Sequence, residues 1–223
     1  MVQDSLQVVR RVSTLKHQVT DGLRASIFDM RFGPGDRLVE RELCELFDVS
    51  RTLVREAISQ LVAEGLIQVI PHKGPIVAVV TPQEAEGLYK VRAEMEALAG
   101  REFVNLASAE ERSALVRALE KLKEHASDES MLDFLKAKTI FYEVLLAGAH
   151  NPVLFEMLRL IHGRVTTLRA ATLADPGRLA ESLRELSNVV KAVEQNDAEA
   201  AAEALRLHVR NAAAIAKKLG KIA

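Results

Sequence analysis

Residues 66–80, LIQVI-PHKG-PIVAVV, constrain the fold of this chain more than any other stretch. Two short runs rich in β-branched residues flank a polar turn with a glycine, a pattern that reads as a β-hairpin. Everything around it repeats apolar residues at helical spacing. Upstream, a first helix is predicted to start near Ser13 or Thr14 and to run through LKHQVTDGLRASIFDM. It places Leu15, Val19, Leu23, Ile27 and Met30 on one stripe. FGPGD (32–36) stops it, because Pro34 and two glycines do not continue a helix. ERELCELF makes a second helix with Leu43, Leu46 and Phe47 inward. DVS then turns the chain, and Ser50 caps a third helix that ends at Gly65. Three helices followed by a hairpin outline a winged helix-turn-helix.

From Thr81 the pattern changes. TPQE is a capping box with Pro82 at the first helical position, opening a helix whose apolar positions are Leu88, Val91, Met95, Leu98 and Ala99. SAEE at Ser108 is a second capping box, and Asn151-Pro152 and Asp175-Pro176-Gly177 mark breaks. Asp197 opens the last helix, with acids in its first turn and Lys217 and Lys218 in its last, as the helix dipole favours. The expected fold is mainly α. A winged helix-turn-helix over 1–80 precedes an all-α antiparallel bundle of about six helices over 81–223.

The single cysteine, Cys44, excludes an intrachain disulfide, so a reducing, cytoplasmic setting is expected. The N-terminus lacks the apolar core of a signal peptide, and no stretch of about 18 uncharged apolar residues could span a membrane. Net charge is −1, and residues 1–80 hold ten Lys/Arg against ten Asp/Glu. Any polyanionic partner must therefore be met by locally focused cations rather than by bulk charge.

VSRTLVREAISQLVAEGL (49–66) carries such a focus. In a helix-turn-helix the second helix of the motif enters the DNA major groove, and residues near its N-terminus reach base edges. Here those are Ser50, Arg51, Thr52 and Arg55. Arginine pairs bidentately with guanine or phosphate, and hydroxyls donate to phosphate. The hairpin tip, His72-Lys73-Gly74, adds a cation and a residue that permits close approach. Taken alone, two arginines four apart describe a solvated helix face, with Glu56 or Glu42 as partners for Arg55. Turn, helix and wing together in one short unit favour DNA.

The stretch GPGDRLVERELCELFDVSRTLVREAISQLVAEGLIQVIPHKGPIV closely resembles the DNA-binding domain of the GntR family of bacterial transcription regulators, over roughly residues 13–80. The resemblance implies DNA contacts from Arg41 of the ERE segment, from Ser50, Arg51, Thr52 and Arg55, and from His72, Lys73 and Gly74. Position 53 is Leu where many members carry a small residue or Pro.

The helical half resembles, more loosely, the ligand-sensing domain of the FadR-like branch of that family, in LYKVRAEMEALAGREFV, FYEVLLAGAHNPVL and KAVEQNDAEAAAEALRLHV. Many such domains hold a divalent metal with an Asp, a His four residues later and one His from each of two later helices. Those positions are Lys138, Tyr142, Leu186 and His208 here, and no Asp in the region has a His four residues on. The family metal site is therefore expected to be lost and no cofactor is expected. His208 reads as a polar core or pocket residue. The resemblance places Arg92, Arg164 and Arg169 near the cavity, with Lys138, Tyr142, His208 and Asn211, where an arginine could clamp a carboxylate effector. His125, His150 and His162 show no ligand spacing and are expected on surfaces or in loops.

These readings converge on a DNA-binding transcription regulator, a repressor by family habit. It is expected to bind a pseudopalindromic operator as a homodimer and to answer to a small-molecule effector. An effector-blind architectural protein is the alternative. No Ser/His/Asp or Cys/His constellation, phosphate-cradling glycine loop or intact metal set supports an enzyme.

Overall fold

A computed structural model describes residues 15–27, 31–126 and 131–221. The predicted helix start at Ser13 or Thr14, and Met30, lie outside the described residues. The chain divides into two compact units that meet between Val79 and Val80.

The first unit holds α1 (15–27), α2 (Glu40–Phe47), α3 (Arg51–Ala63), β1 (Ile67–Ile70) and β2 (Gly74–Val77). Leu23 and Ile27 of α1 meet Leu43, Val54, Ile58, Leu61, Ile67 and Val77 in one core. Leu46, read as inward, is 38% exposed, so α2 buries a narrower face than its sequence suggests. Ser50 caps α3 by accepting from the Leu53 N–H at 3.5 Å. Gly65 ends it in the left-handed region at φ 73°, a conformation that costs a glycine nothing. The strands pair antiparallel from Ile67↔Val77 to Ile70↔Gly74, with the Lys73 N–H donating to the Ile70 carbonyl at 3.1 Å across the tip. A further bridge, Arg37↔Ile76, lays the segment before α2 along the open edge of β2.

Among its described residues the second unit holds six helices: α4 (Pro82–Leu106), α5 (Ala109–Ala126), α6 (Met131–Gly148), α7 (Pro152–Leu173), α8 (Arg178–Glu194) and α9 (Ala198–Lys218). The Ser108 box is reciprocal: the Ser108 N–H donates to Glu111 at 2.7 Å and the Glu111 N–H to Ser108 Oγ at 3.2 Å. At Thr81 only half of the box forms. Thr81 Oγ1 accepts from the Glu84 N–H, while the Glu84 carboxylate turns away to Arg164 of α7. Asp197 caps α9 through the Ala200 N–H at 2.9 Å. Helix α9 lies closely on α4 because Gly100 has no side chain: a Cβ there would sit 3.2 Å from the Ala201 carbonyl oxygen.

The apolar positions of α4 divide in the fold, with Ala99 buried and Met95 half-buried. Val91 is 52% and Leu98 37% exposed, whereas Tyr89, Arg92, Ala93, Glu96 and Ala97 point inward. Val91 and Leu98 face out because the bundle encloses a polar cluster on the other side of α4, to which Arg92 and Glu96 belong. Most of the apolar core lies to one side, where Phe103, Leu115, Leu122, Phe134, Phe141, Leu186 and Leu205 pack together.

Candidate DNA-reading face and buried polar cavity

Arg41, Ser50, Arg51, Thr52 and Arg55 are all exposed on α2 and at the start of α3. Arg55 pairs with neither Glu56 nor Glu42. Its Nε donates to both carboxylate oxygens of Glu40, each at 2.9 Å, and the Glu40 hydrogen bond raises its pKa. That contact engages the guanidinium through Nε alone. The Ser50 oxygen is occupied as a cap, but its hydroxyl proton remains available for donation. At the wing tip His72 and Lys73 are exposed, and His72 adopts φ 63°. Gly74 belongs to β2 rather than to the tip itself. Arg37, not singled out in the sequence, is an exposed cation at the bridge beside the wing. Its exposure follows from the short segment DRL after the Pro34-Gly35 turn, which is too brief for sequence periodicity to describe.

The helical unit buries an unusual density of charge. Arg92 (2% exposed) donates through Nε to Glu96 (0% exposed) at 2.6 Å and through Nη2 to the Tyr142 hydroxyl at 3.1 Å. His162 corrects the expectation of a surface histidine. It sits within α7 with a 13% exposed side chain, donates from Nε2 to Glu96 at 2.8 Å and packs edge-on against Tyr142. Its partner lies 66 residues away in the chain, so local spacing holds no sign of it. His150 is exposed beside Glu111, and His125 is half-buried near the end of α5.

A second cluster forms around Glu185. Arg178 grips it with two parallel bonds at 3.0 and 2.8 Å, Asn211 donates at 2.6 Å and His208 Nδ1 approaches at 2.5 Å. Between the two clusters is a narrow space of about 10 Å³, lined among others by Arg92, Lys138, Arg169, Arg178 and His208. No carboxylate is among its lining residues. Arg164 stands apart from it, about one-third exposed and paired with Glu84. Tyr142 and Asn211 back the lining through Arg92 and Glu185.

The family metal positions do not suit a cation. Lys138 Nζ donates to Ser182 at 2.7 Å, the Tyr142 hydroxyl accepts from Arg92, and Leu186 belongs to the apolar core. Only His208 offers a metal donor, and it stands among four cationic side chains. Among the described residues no group of three His, Cys, Asp or Glu is placed to hold a metal ion.

Burial governs the ionisation. Desolvation, with Arg169, Arg92 and Arg178 nearby, pushes Lys138 well below its usual range. Burial lowers His162 to about 4, despite Glu96, and burial with Lys138 lowers His208 to about 3, despite Glu185. Burial acts against the Glu185 charge, yet the His208 and Arg178 hydrogen bonds prevail and its pKa falls to about 2. For the two histidines the folded form binds protons less readily than the unfolded chain. Their contribution is full above the unfolded value of about 6.5 and declines as pH falls towards the folded values. Glu185 works in the same direction at lower pH. Thermal unfolding of the helical unit is therefore expected to drop by on the order of 10 °C between pH 7 and pH 4. A melting temperature that is flat across this window would contradict the buried, neutral state of both histidines.

Comparison with known proteins places both units. Residues 15–77 match the bacterial regulatory proteins of the gntR family, and residues 87–211 match the FCD domain. The chain is 28% identical over 193 residues to the HTH-type transcriptional regulator YdhC of Bacillus subtilis, covering 86% of each chain. It is 22% identical over 196 residues to the HTH-type transcriptional repressor RspR of Escherichia coli, covering 88% of this chain and 86% of that one. Escherichia coli McbR/YncC has the same fold, with a TM-score of 0.81 at 23% identity over 92% of this chain and 98% of that one. Among the described residues no helix is long and apolar enough to cross a membrane.

Proposed function

This chain belongs to the GntR family of bacterial regulatory proteins and carries an FCD domain. From that premise we propose that it is an effector-controlled repressor that grips two-fold-related operator half-sites as a homodimer. The observation that carries the reading is the pairing, in one chain, of an exposed arginine face with a buried cationic cavity. Arg37, Arg41, Arg51 and Arg55 with Lys73 present charge-assisted donors to a phosphate backbone and base edges. Glu96 and Glu185 offset Arg92 and Arg178 from behind the lining, while the Arg169 Nε and Nη2 have no hydrogen-bond partner among the described residues, which suits an anionic small molecule. A ligand there shifts DNA affinity only by preferring one arrangement of the dimer over another. The name of RspR, a repressor, supports the direction of control.

The outward stripe of α4 supports the dimer. Val91 (52% exposed) and Leu98 (37%) flank Met95, which packs on Leu154 and Leu158 of α7. On α7 itself Val153 (66%), Met157 (54%) and Leu160 (37%) are exposed. Helices α4 and α7 run antiparallel, tied by Glu102–Asn151 near one end and Glu84–Arg164 near the other. Their apolar positions therefore form one face, of the kind that marks a partner site. In a two-fold dimer this face would meet its own copy.

Substituting Val91→Glu together with Leu98→Glu is expected to halve the mass in analytical ultracentrifugation and to weaken operator binding at least tenfold. The helical content should be unchanged, since both side chains are already exposed. A double variant that remains dimeric would place the interface elsewhere. A double variant that is monomeric yet binds DNA at full affinity would remove the two-fold operator from the proposal.

A further inference from the structure

Helices α4 and α9 leave an open groove of about 520 Å³ between them. Its floor is Tyr89 and Ala93 of α4 with Ala213 and Ala214 of α9. Alanine side chains are too short to fill the furrow between two helices, so the groove persists. Its lining carries Lys90, Arg210 and Lys217 against two carboxylates, Glu86 and Glu94. Both carboxylates are engaged, Glu86 with Lys90 at 2.7 Å and Glu94 with Arg206 at 3.1 Å. Arg210 makes a loose pair with Glu203 at 3.8 Å, and Lys217 has no ion-pair partner among the described residues. The groove is thus biased towards anions.

On the inner side of Tyr89 lies the narrow space lined by Arg169, whose buried Nε and Nη2 lack hydrogen-bond partners among the described residues. At about 10 Å³ it is on the scale of a single water molecule. Among the described residues Tyr89 alone lines both spaces. Its side chain is buried, and the Arg92 guanidinium carbon stands 5.9 Å from the ring centroid. The apolar cluster around it is mostly alanine: Ala85, Ala93, Ala212 and Ala216, beside Leu168 and Val209. A ring set among methyl groups meets few interlocking side chains, and the groove gives it room on the outer side. Loss of buried ring area and of the cation–π contact with Arg92 opposes the movement. The closed arrangement is therefore the ground state.

We propose that Tyr89 is a gate: its ring swings into the α4–α9 groove, joins the groove to the inner space, and opens a route by which anions reach Arg169. This rests on the effector role proposed above and supplies the way in. A space the size of one water admits an effector only when a wall moves, and Tyr89 is the wall with free volume behind it. Arg210 and Lys217 stand at the outer mouth of the route and Arg169 at its inner end. Entry then follows the population of the open form, as in other gated sites.

The test is the reactivity of a cysteine placed behind the gate. Thr172 lines the inner space and is buried, and Thr172→Cys changes its volume little. In the full-length protein, with Cys44→Ser to remove the native thiol, modification by anionic sulfonatoethyl methanethiosulfonate is followed by mass spectrometry at pH 7. The rate, relative to that of the same reagent with glutathione, reads the open fraction. Tyr89→Ala should raise it at least about tenfold. Ala214→Phe, at an exposed position of the groove, takes up the room the ring needs and should lower it at least about tenfold. That variant leaves the core untouched, so it decides the matter even if Tyr89→Ala fails to fold. The cationic aminoethyl reagent, on the same relative scale, should react more slowly than the anionic one. A rate that Ala214→Phe leaves unchanged overturns the gate, as does a folded Tyr89→Ala variant that reacts at the parent rate. Absence of any reaction in the folded parent overturns it too, and equal rates for the two reagents overturn it as an anion route. Each of these failures concerns the route alone. The effector role is decided separately, by whether a metabolite releases the protein from DNA.

Discussion

Arg51→Ala combined with Arg55→Ala is expected to abolish specific DNA binding while leaving the melting temperature within about a degree of the parent. Both side chains are exposed, and neither contributes to the core beneath α3, which is built from Val54, Ile58 and Leu61. A well-placed arginine–base or arginine–phosphate contact is worth roughly ten- to a hundredfold in affinity. Loss of two from one recognition helix, doubled in a dimer, moves specific binding into the non-specific range. The measurement is a mobility-shift titration on the genomic fragment that the parent protein selects. Glu40→Gln is the informative companion, because Glu40 holds Arg55 by Nε. Freed of it, Arg55 loses orientation, and selectivity should fall more than total affinity. Lys73→Ala at the wing should instead weaken all sequences alike and reduce the salt dependence by about one counterion. Unchanged operator affinity in the double variant would remove α3 from the DNA interface.

The second large effect concerns stability. Glu185→Ala removes the carboxylate that accepts both hydrogen bonds from Arg178 and lies against His208, and leaves the guanidinium, buried at 2% exposure, with only the 3.9 Å approach of Glu181. Breaking one partner of such a pair costs about 3–5 kcal/mol, which corresponds to a fall of about 10–15 °C in the melting temperature of a unit this size. Glu185→Gln keeps the acceptor and the shape and should lose less. If calorimetry finds the alanine variant within about 3 °C of the parent, the Arg178–Glu185 cluster does not hold α8 to α9.

Local signals in the chain were legible because they are short-range. The Ser108 and Asp197 caps, the stop at Gly65 and the hairpin around PHKG each depend on residues within a few positions. The buried chemistry was not. Hydrophobic periodicity picked out Val91 and Leu98 on α4 but does not say which face they take. In this unit the interior is charged, and the same periodicity marks the outer surface. His162 looked peripheral since Glu96 and Tyr142 reach it from α4 and α6, at separations that no spacing rule covers. Arg55 and Glu40 are 15 residues apart and meet only because α2 folds back on α3. The resemblance pointed to Arg92, Lys138, Arg169 and His208, and these four line one space. It also pointed to Arg164, which sits in a partly exposed ion pair outside it.

Helix α4 has 25 residues and at 1.5 Å per residue runs about 37 Å. Arg92 lines the cavity and Glu96 is buried behind it, while the adjoining Val91 and Met95 lie towards the proposed dimer face. Neighbouring residues on one rigid rod cannot turn independently. A roll that brings Arg92 closer to a ligand carries Val91 by the same angle across the partner. Under the proposed function, sensing and assembly would thus share a single axle, α4, whose first turn begins two residues after the division between the two units.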